Sequence, residues 1–112
     1  MIPPMNCLSR GDTKKLALHR AVAARLRRDP DSRRIAHQRI AILRAKNPHG
    51  RPYYDRWEEL LSGPLEHLLD MLTSTDEKSA ALRQESPFGD LIDQRERARL
   101  YRAAAASFDQ AI

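Results

Sequence analysis

Apolar side chains recur at three- and four-residue steps along most of the chain. Leu16, His19, Val22, Ala23 and Leu26 fall on one face of a 3.6-residue helix. That spacing predicts a helix over "GDTKKLALHRAVAARLRRD", with Asp12 or Thr13 capping its first amides and Lys14, Arg20, Arg27 and Arg28 outside the stripe. "DPDSRRIAHQRIAILRAKNPHG" predicts the next, with Asp29 as cap and Pro30 at its first position. Asn47, Pro48 and Gly50 stop it. Its apolar arc is wide, from Ile35 and Ala36 to Ile40, Ile42 and Leu43, and Arg39 projects inside it. A snorkelling stem explains Arg39 more simply than an ion pair with a partner does.

Further helices are expected in "RPYYDRWEELLSG", started by Pro52, and in "GPLEHLLDMLTSTD", with Pro64 at its first position. Leu65, Leu68, Leu69 and Leu72 make the second of these the expected centre of the core. Ser74 and Glu77 have the spacing of a capping box before "KSAALRQES", and Asp93 and Glu96 repeat it before the last helix. No stretch alternates as a strand does, and Val and Thr are few. The expectation is an all-α protein: a loose N-terminal arm over residues 1–11, then one small domain of five or six short helices over residues 12–112.

Composition sharpens this picture in one respect. The 112 residues suffice for one domain that buries about two-thirds of its unfolded surface. Apolar residues make up 41% but aromatics only 5%, a lean core that a partner can complete. The net charge of +5 conceals a division of the chain. Residues 1–56 hold 14 Lys/Arg against 4 Asp/Glu, whereas residues 57–112 hold 6 against 11. The basic half suits nucleic acid or an acidic protein surface, and the acidic half can fold back on it. The single Cys7 excludes an internal disulfide, and no apolar run reaches the roughly 20 residues of a membrane span. The expected location is the cytoplasm.

The residues offer little catalytic chemistry. His19, His37, His49 and His67 have no His or Cys partner at ligand spacing, so neither metal nor cofactor is expected. "GDTKK" and "GPLEH" lack the strand and spacing of a phosphate loop. Arg44 and His49 have the Arg-x4-His spacing of helical ribonucleases, in which Arg steadies phosphate charge and His moves a proton. Pro48, just before His49, breaks the helix that spacing needs.

Binding is the better prospect. Arg25, Arg27, Arg28, Arg33 and Arg34 cluster around the junction of the first two helices, where they can hold phosphates without reading sequence. No helix-turn-helix is recognisable there. Tyr53, Tyr54 and Trp57 are half of all the aromatics and lie within five residues. Trp57 is expected in the core, and Tyr53 or Tyr54 at an interface. The expected contact set is Arg20, Arg27, Arg28, Arg33, Arg34, Arg39, Tyr53 and Tyr54. In "LRQESPFG", Pro87 and Gly89 turn the chain, and Phe88 is expected to fold inward as a plug against the Leu65–Leu72 stripe.

Residues 18–104 resemble a set of small actinobacterial all-helical proteins. The matching residues are Trp57, Leu60, Leu61, Gly63 and Pro64, then Leu82, Arg83, Gln84, Ser86, Pro87 and Phe88, and finally Glu96, Arg97, Tyr101, Arg102 and Ala103. These proteins in turn resemble antitoxins of two-gene toxin–antitoxin modules, including modules whose toxin is a nucleotidyltransferase. The resemblance implies a non-enzymatic protein that binds a cognate toxin encoded by a neighbouring gene and occludes its active site. A basic regulator that binds DNA, including its own promoter, is the alternative. A small ribonuclease using Arg44 and His49 is the third.

Overall fold

The computed structural model describes residues 8–110, and Cys7 with most of the expected arm lies outside them. The described residues form six α-helices: α1 (Arg10–Arg28), α2 (Arg33–Lys46), α3 (Arg51–Ser62), α4 (Leu65–Thr73), α5 (Glu77–Gln84) and α6 (Gln94–Gln110). Short 3-10 turns at Pro30–Ser32, Pro48–Gly50 and Gly89–Leu91 join them, and no strand occurs among the described residues. The protein is all-α, as its periodicity predicts.

α1 starts before either expected cap. Ser9 is its N-cap, with the Ser9 hydroxyl accepting from the Asp12 amide at 3.0 Å and the Asp12 carboxylate accepting from the Ser9 amide at 3.3 Å. Asp12 is therefore the far member of a capping box. The box expected at Ser74 and Glu77 does not form. α5 begins one residue after Asp76, and the Ser74 hydroxyl donates to the Asp76 carboxylate instead. Asp93 does cap α6, accepting from the Glu96 amide at 2.9 Å. Asp29 and Pro30 open a 3-10 turn rather than α2 itself.

α1 is the hub, packing on α4, α5 and α6, while α2 packs on α3 and α3 on α4. An ion pair from Arg10 to Asp109 joins the start of α1 to the end of α6, so the first and last helices run antiparallel. The core gathers Val22, Leu26, Ile40, Trp57, Leu68, Leu72 and Phe88, all fully buried. Phe88 does turn inward. Its ring meets Trp57 edge-on, centroids 5.4 Å apart, and His19 edge-on at 6.4 Å. Trp57 in turn donates its indole N–H to the Leu82 carbonyl at 3.1 Å. Edge-to-face geometry lets the positive rim of one ring meet the negative face of the other.

Four polar side chains are buried among the described residues, His19, Ser32, Ser79 and Arg83, and two of them carry ionisable groups. The His19 Nδ1–H donates to the Lys15 carbonyl at 2.6 Å, and Nε2 accepts from the Ser86 hydroxyl, also at 2.6 Å. Both ring nitrogens are satisfied while the imidazole is neutral. Burial pushes its pKa down to about 4, and the charges of Arg83 and Lys15 add to the shift. Arg83 is fully buried on α5. Its guanidinium donates to the Met71 carbonyl at 3.0 Å and the Leu72 carbonyl at 3.4 Å. These belong to the last turn of α4, whose carbonyls have no partner within their own helix. A cation there also meets the negative end of the helix dipole.

Candidate binding surface

The expected contact residues divide by how much of each the fold consumes. Arg20, Arg27 and Arg28 are exposed along α1 and form no ion pair with any described residue. Arg27 and Arg28 sit in the last turn of their helix, where cations are favoured even without a partner. Arg34 is exposed and reaches Asp31 at 3.7 Å, one turn away. A pair so open to water is worth at most about 1 kcal/mol, so Arg34 stays available to a partner.

Other members of the set work inside the fold. Arg33 donates to the Gly63 carbonyl at 3.3 Å, tying the start of α2 to the α3–α4 junction. Arg39 pairs with Asp90 at 3.6 Å, so the ion pair is internal to the chain. Tyr54, expected at an interface, is instead 1% exposed and belongs to the core. Its hydroxyl donates to Glu85 at 3.4 Å and accepts from Asn47 at 3.5 Å. Its ring lies against Gly50, where an added Cβ would come within 2.6 Å of it. Tyr53, one residue earlier, points outward and is 38% exposed. Helix phase separates the two, because Tyr54, Trp57 and Leu61 lie three and four residues apart on the buried face.

Arg44 is held in place. Its guanidinium donates to Asp55 at 2.6 Å and lies 3.1 Å from Glu58, and the hydrogen bond to Asp55 leads the effects that raise its pKa. His49 sits exposed in the following 3-10 turn. The guanidinium that the ribonuclease reading would aim at a phosphate is thus committed to two carboxylates on α3.

The acidic half does fold back on the basic half, but incompletely. Asp109 takes Arg10, Asp90 takes Arg39, Glu58 shares Arg44, and the Leu91 carbonyl takes Arg25 at 3.3 Å. What remains includes a cationic margin of Arg20, Arg27, Arg28 and Arg34 along α1 and the start of α2, with Lys46 and Arg51 also exposed farther along the basic half. At the boundary of the two halves, Arg56 of the basic half and Glu59, His67, Asp70 and Asp76 of the acidic half line an open cleft of about 470 Å³. No group of three His, Cys, Asp or Glu among the described residues is placed to hold a metal ion. No described helix is long and apolar enough to cross a membrane.

One feature of the surface was not foreseen as such. Ile35 and Ile42, expected in the buried arc of α2, are 40% and 45% exposed. Only Ala36 and Ile40 of that arc are buried. No protein-family model, curated protein or solved structure matches the chain.

Proposed function

We propose that the chain is a binding protein that neutralises a partner as an antitoxin does, by covering an acidic active-site region with its cationic face. The observation that carries this reading is the margin of Arg20, Arg27, Arg28 and Arg34. These cations remain free or weakly paired although the same chain carries 11 acidic residues in its second half. Cations left open in this way raise the rate of encounter with an anionic partner, while buried apolar anchors set how long the complex lasts. A nucleotidyltransferase toxin is a fitting partner, because carboxylates that hold metal ions give such a site a negative field.

The test is co-expression with the product of the adjacent gene, followed by co-purification and growth. Stable complex formation and restored growth support the proposal. A neighbour that is harmless alone and does not co-purify removes it.

The same Arg margin supports a second reading, nonspecific DNA contact. Binding would then weaken steeply with salt, because each neutralised phosphate releases counterions. Replacing Arg27, Arg28 and Arg34 with Ala would flatten that dependence. Absent or salt-insensitive DNA binding rejects this reading without touching the first.

A further inference from the structure

The exposed aliphatic face of α2 has a chemistry of its own. At 100° per residue, Ile35, Gln38, Ala41, Ile42 and Ala45 share one side of the helix, and all five are exposed. Ile35 and Ile42 are seven residues apart, which sets their side chains about 10 Å from each other along the axis. Isolated exposed aliphatics are ordinary. Here, however, two of the three large exposed hydrophobics among the described residues fall on one helix at i and i+7. α2 also has α3 as its main helical neighbour, which covers only the side carrying Ala36 and Ile40. The opposite side is left bare.

Charge identifies what fits there. α2 carries Arg33, Arg34, Arg39, Arg44 and Lys46 and no acidic residue. Arg33 and Arg44 are engaged with Gly63 and with Asp55 and Glu58. Arg34, weakly paired with the exposed Asp31, stands at the beginning of the bare face, the exposed Lys46 at its end, and Arg39, 36% exposed and shared with Asp90, on one flank. An aliphatic strip edged by cations matches a helix that presents an apolar stripe edged by carboxylates.

Two other occupants fit less well. A second copy of α2 would set one acid-free basic face against another. The acidic half of a second copy shows no large exposed hydrophobic side chain among its described residues. Nucleic acid would gain from the cations but nothing from Ile35 and Ile42.

We propose that this face of α2 docks an acidic amphipathic helix of a partner protein, with Ile35 and Ile42 as anchors and Arg34, Arg39 and Lys46 as the charged rim. Helix-in-groove recognition is read from anchors at such spacings. The proposal extends the binding-protein reading and names the surface at which the complex is held.

The experiment uses the full chain and three fluorescent synthetic peptides. One is amphipathic with Leu anchors and Glu flanks. The second has the same composition in scrambled order, and the third has Lys in place of Glu. Anisotropy titrations are run with the wild type, Ile35→Lys/Ile42→Lys and the milder Ile35→Ala/Ile42→Ala, each checked by circular dichroism and thermal melting. The expected result is binding of the acidic amphipathic peptide alone, weakened at least about tenfold by the Lys pair and less by the Ala pair, with melting unchanged.

Equal binding of the scrambled peptide, undiminished binding by both variants, or no binding of the acidic peptide overturns the proposal. So does self-association that the Lys pair abolishes, because the occupant is then a second copy. Co-purification with the adjacent gene product separates this inference from the function proposed above. If both variants keep that complex, the α2 surface is wrong and the antitoxin reading stands. If the wild type binds the acidic peptide but not the neighbour, the reverse holds.

Discussion

Phe88 and His19 show how far a single side chain is readable. Phe88 lies between a Pro and a Gly that end one helix, so a large apolar group there must either fold inward or stand bare, and it folds inward onto Trp57 and His19. Phe88→Ala should cost about 3–5 kcal/mol, measurable as a lowered urea midpoint, because it removes a ring from a closed site. The buried state of His19 follows from the α1 stripe, but its hydrogen bond to Ser86 spans 67 residues and no local spacing announces it. A pH dependence follows. The folded-state pKa of His19 is about 4, below the 6.5 of an unfolded imidazole. The unfolded chain therefore binds the extra proton first as pH falls. The contribution of His19 to stability is complete above about pH 6.5, shrinks below it and levels off near pH 4. Melting followed from pH 8 to 4 should show this loss, and His19→Gln should reduce it. Arg83 was legible as a helix-end cation, but it caps α4 rather than its own helix. That contact depends on how α4 lies over α5, which sequence spacing does not encode. Arg83→Ala should destabilise by about 2–4 kcal/mol, since it opens a cavity and strips two carbonyls of their donor.

At the scale of the element, the positions of helices were clear and their ends were less so. Pro48, Gly63 and Pro64 mark the breaks on either side of α3, so α2, α3 and α4 could be placed closely. Competing caps are harder, because Ser9, Asp12 and Thr13 can each accept an amide and only the geometry of the preceding residue chooses between them. Ser9→Ala should therefore lower stability by about 1 kcal/mol by chemical denaturation, whereas Thr13→Ala should have less effect. α2 shows the other limit. Its apolar arc is wider than one neighbouring helix can cover, and periodicity alone reports the arc without saying which part is buried. The exposed Ile35 and Ile42 follow from α2 packing chiefly on α3. Tyr54 went the opposite way, into the core, although its phase with Trp57 and Leu61 could have placed it there.

For the whole molecule, the division of charge was visible from counts alone, but its fate was not. Some acids return to neutralise Arg10, Arg39 and Arg44, and the Arg margin of α1 is left over. Adding salt should slow association with an acidic partner more than it speeds dissociation, measurable by stopped-flow mixing at several ionic strengths. The hub position of α1 has a consequence for how the chain comes into being. This helix is made before α4, α5 and α6, which cover it. At ordinary rates of translation, α1 waits on the order of ten seconds for α6. Throughout that interval a nascent chain displays a bare apolar stripe, which chaperones, proteases or a partner already present can find before the fold closes over it.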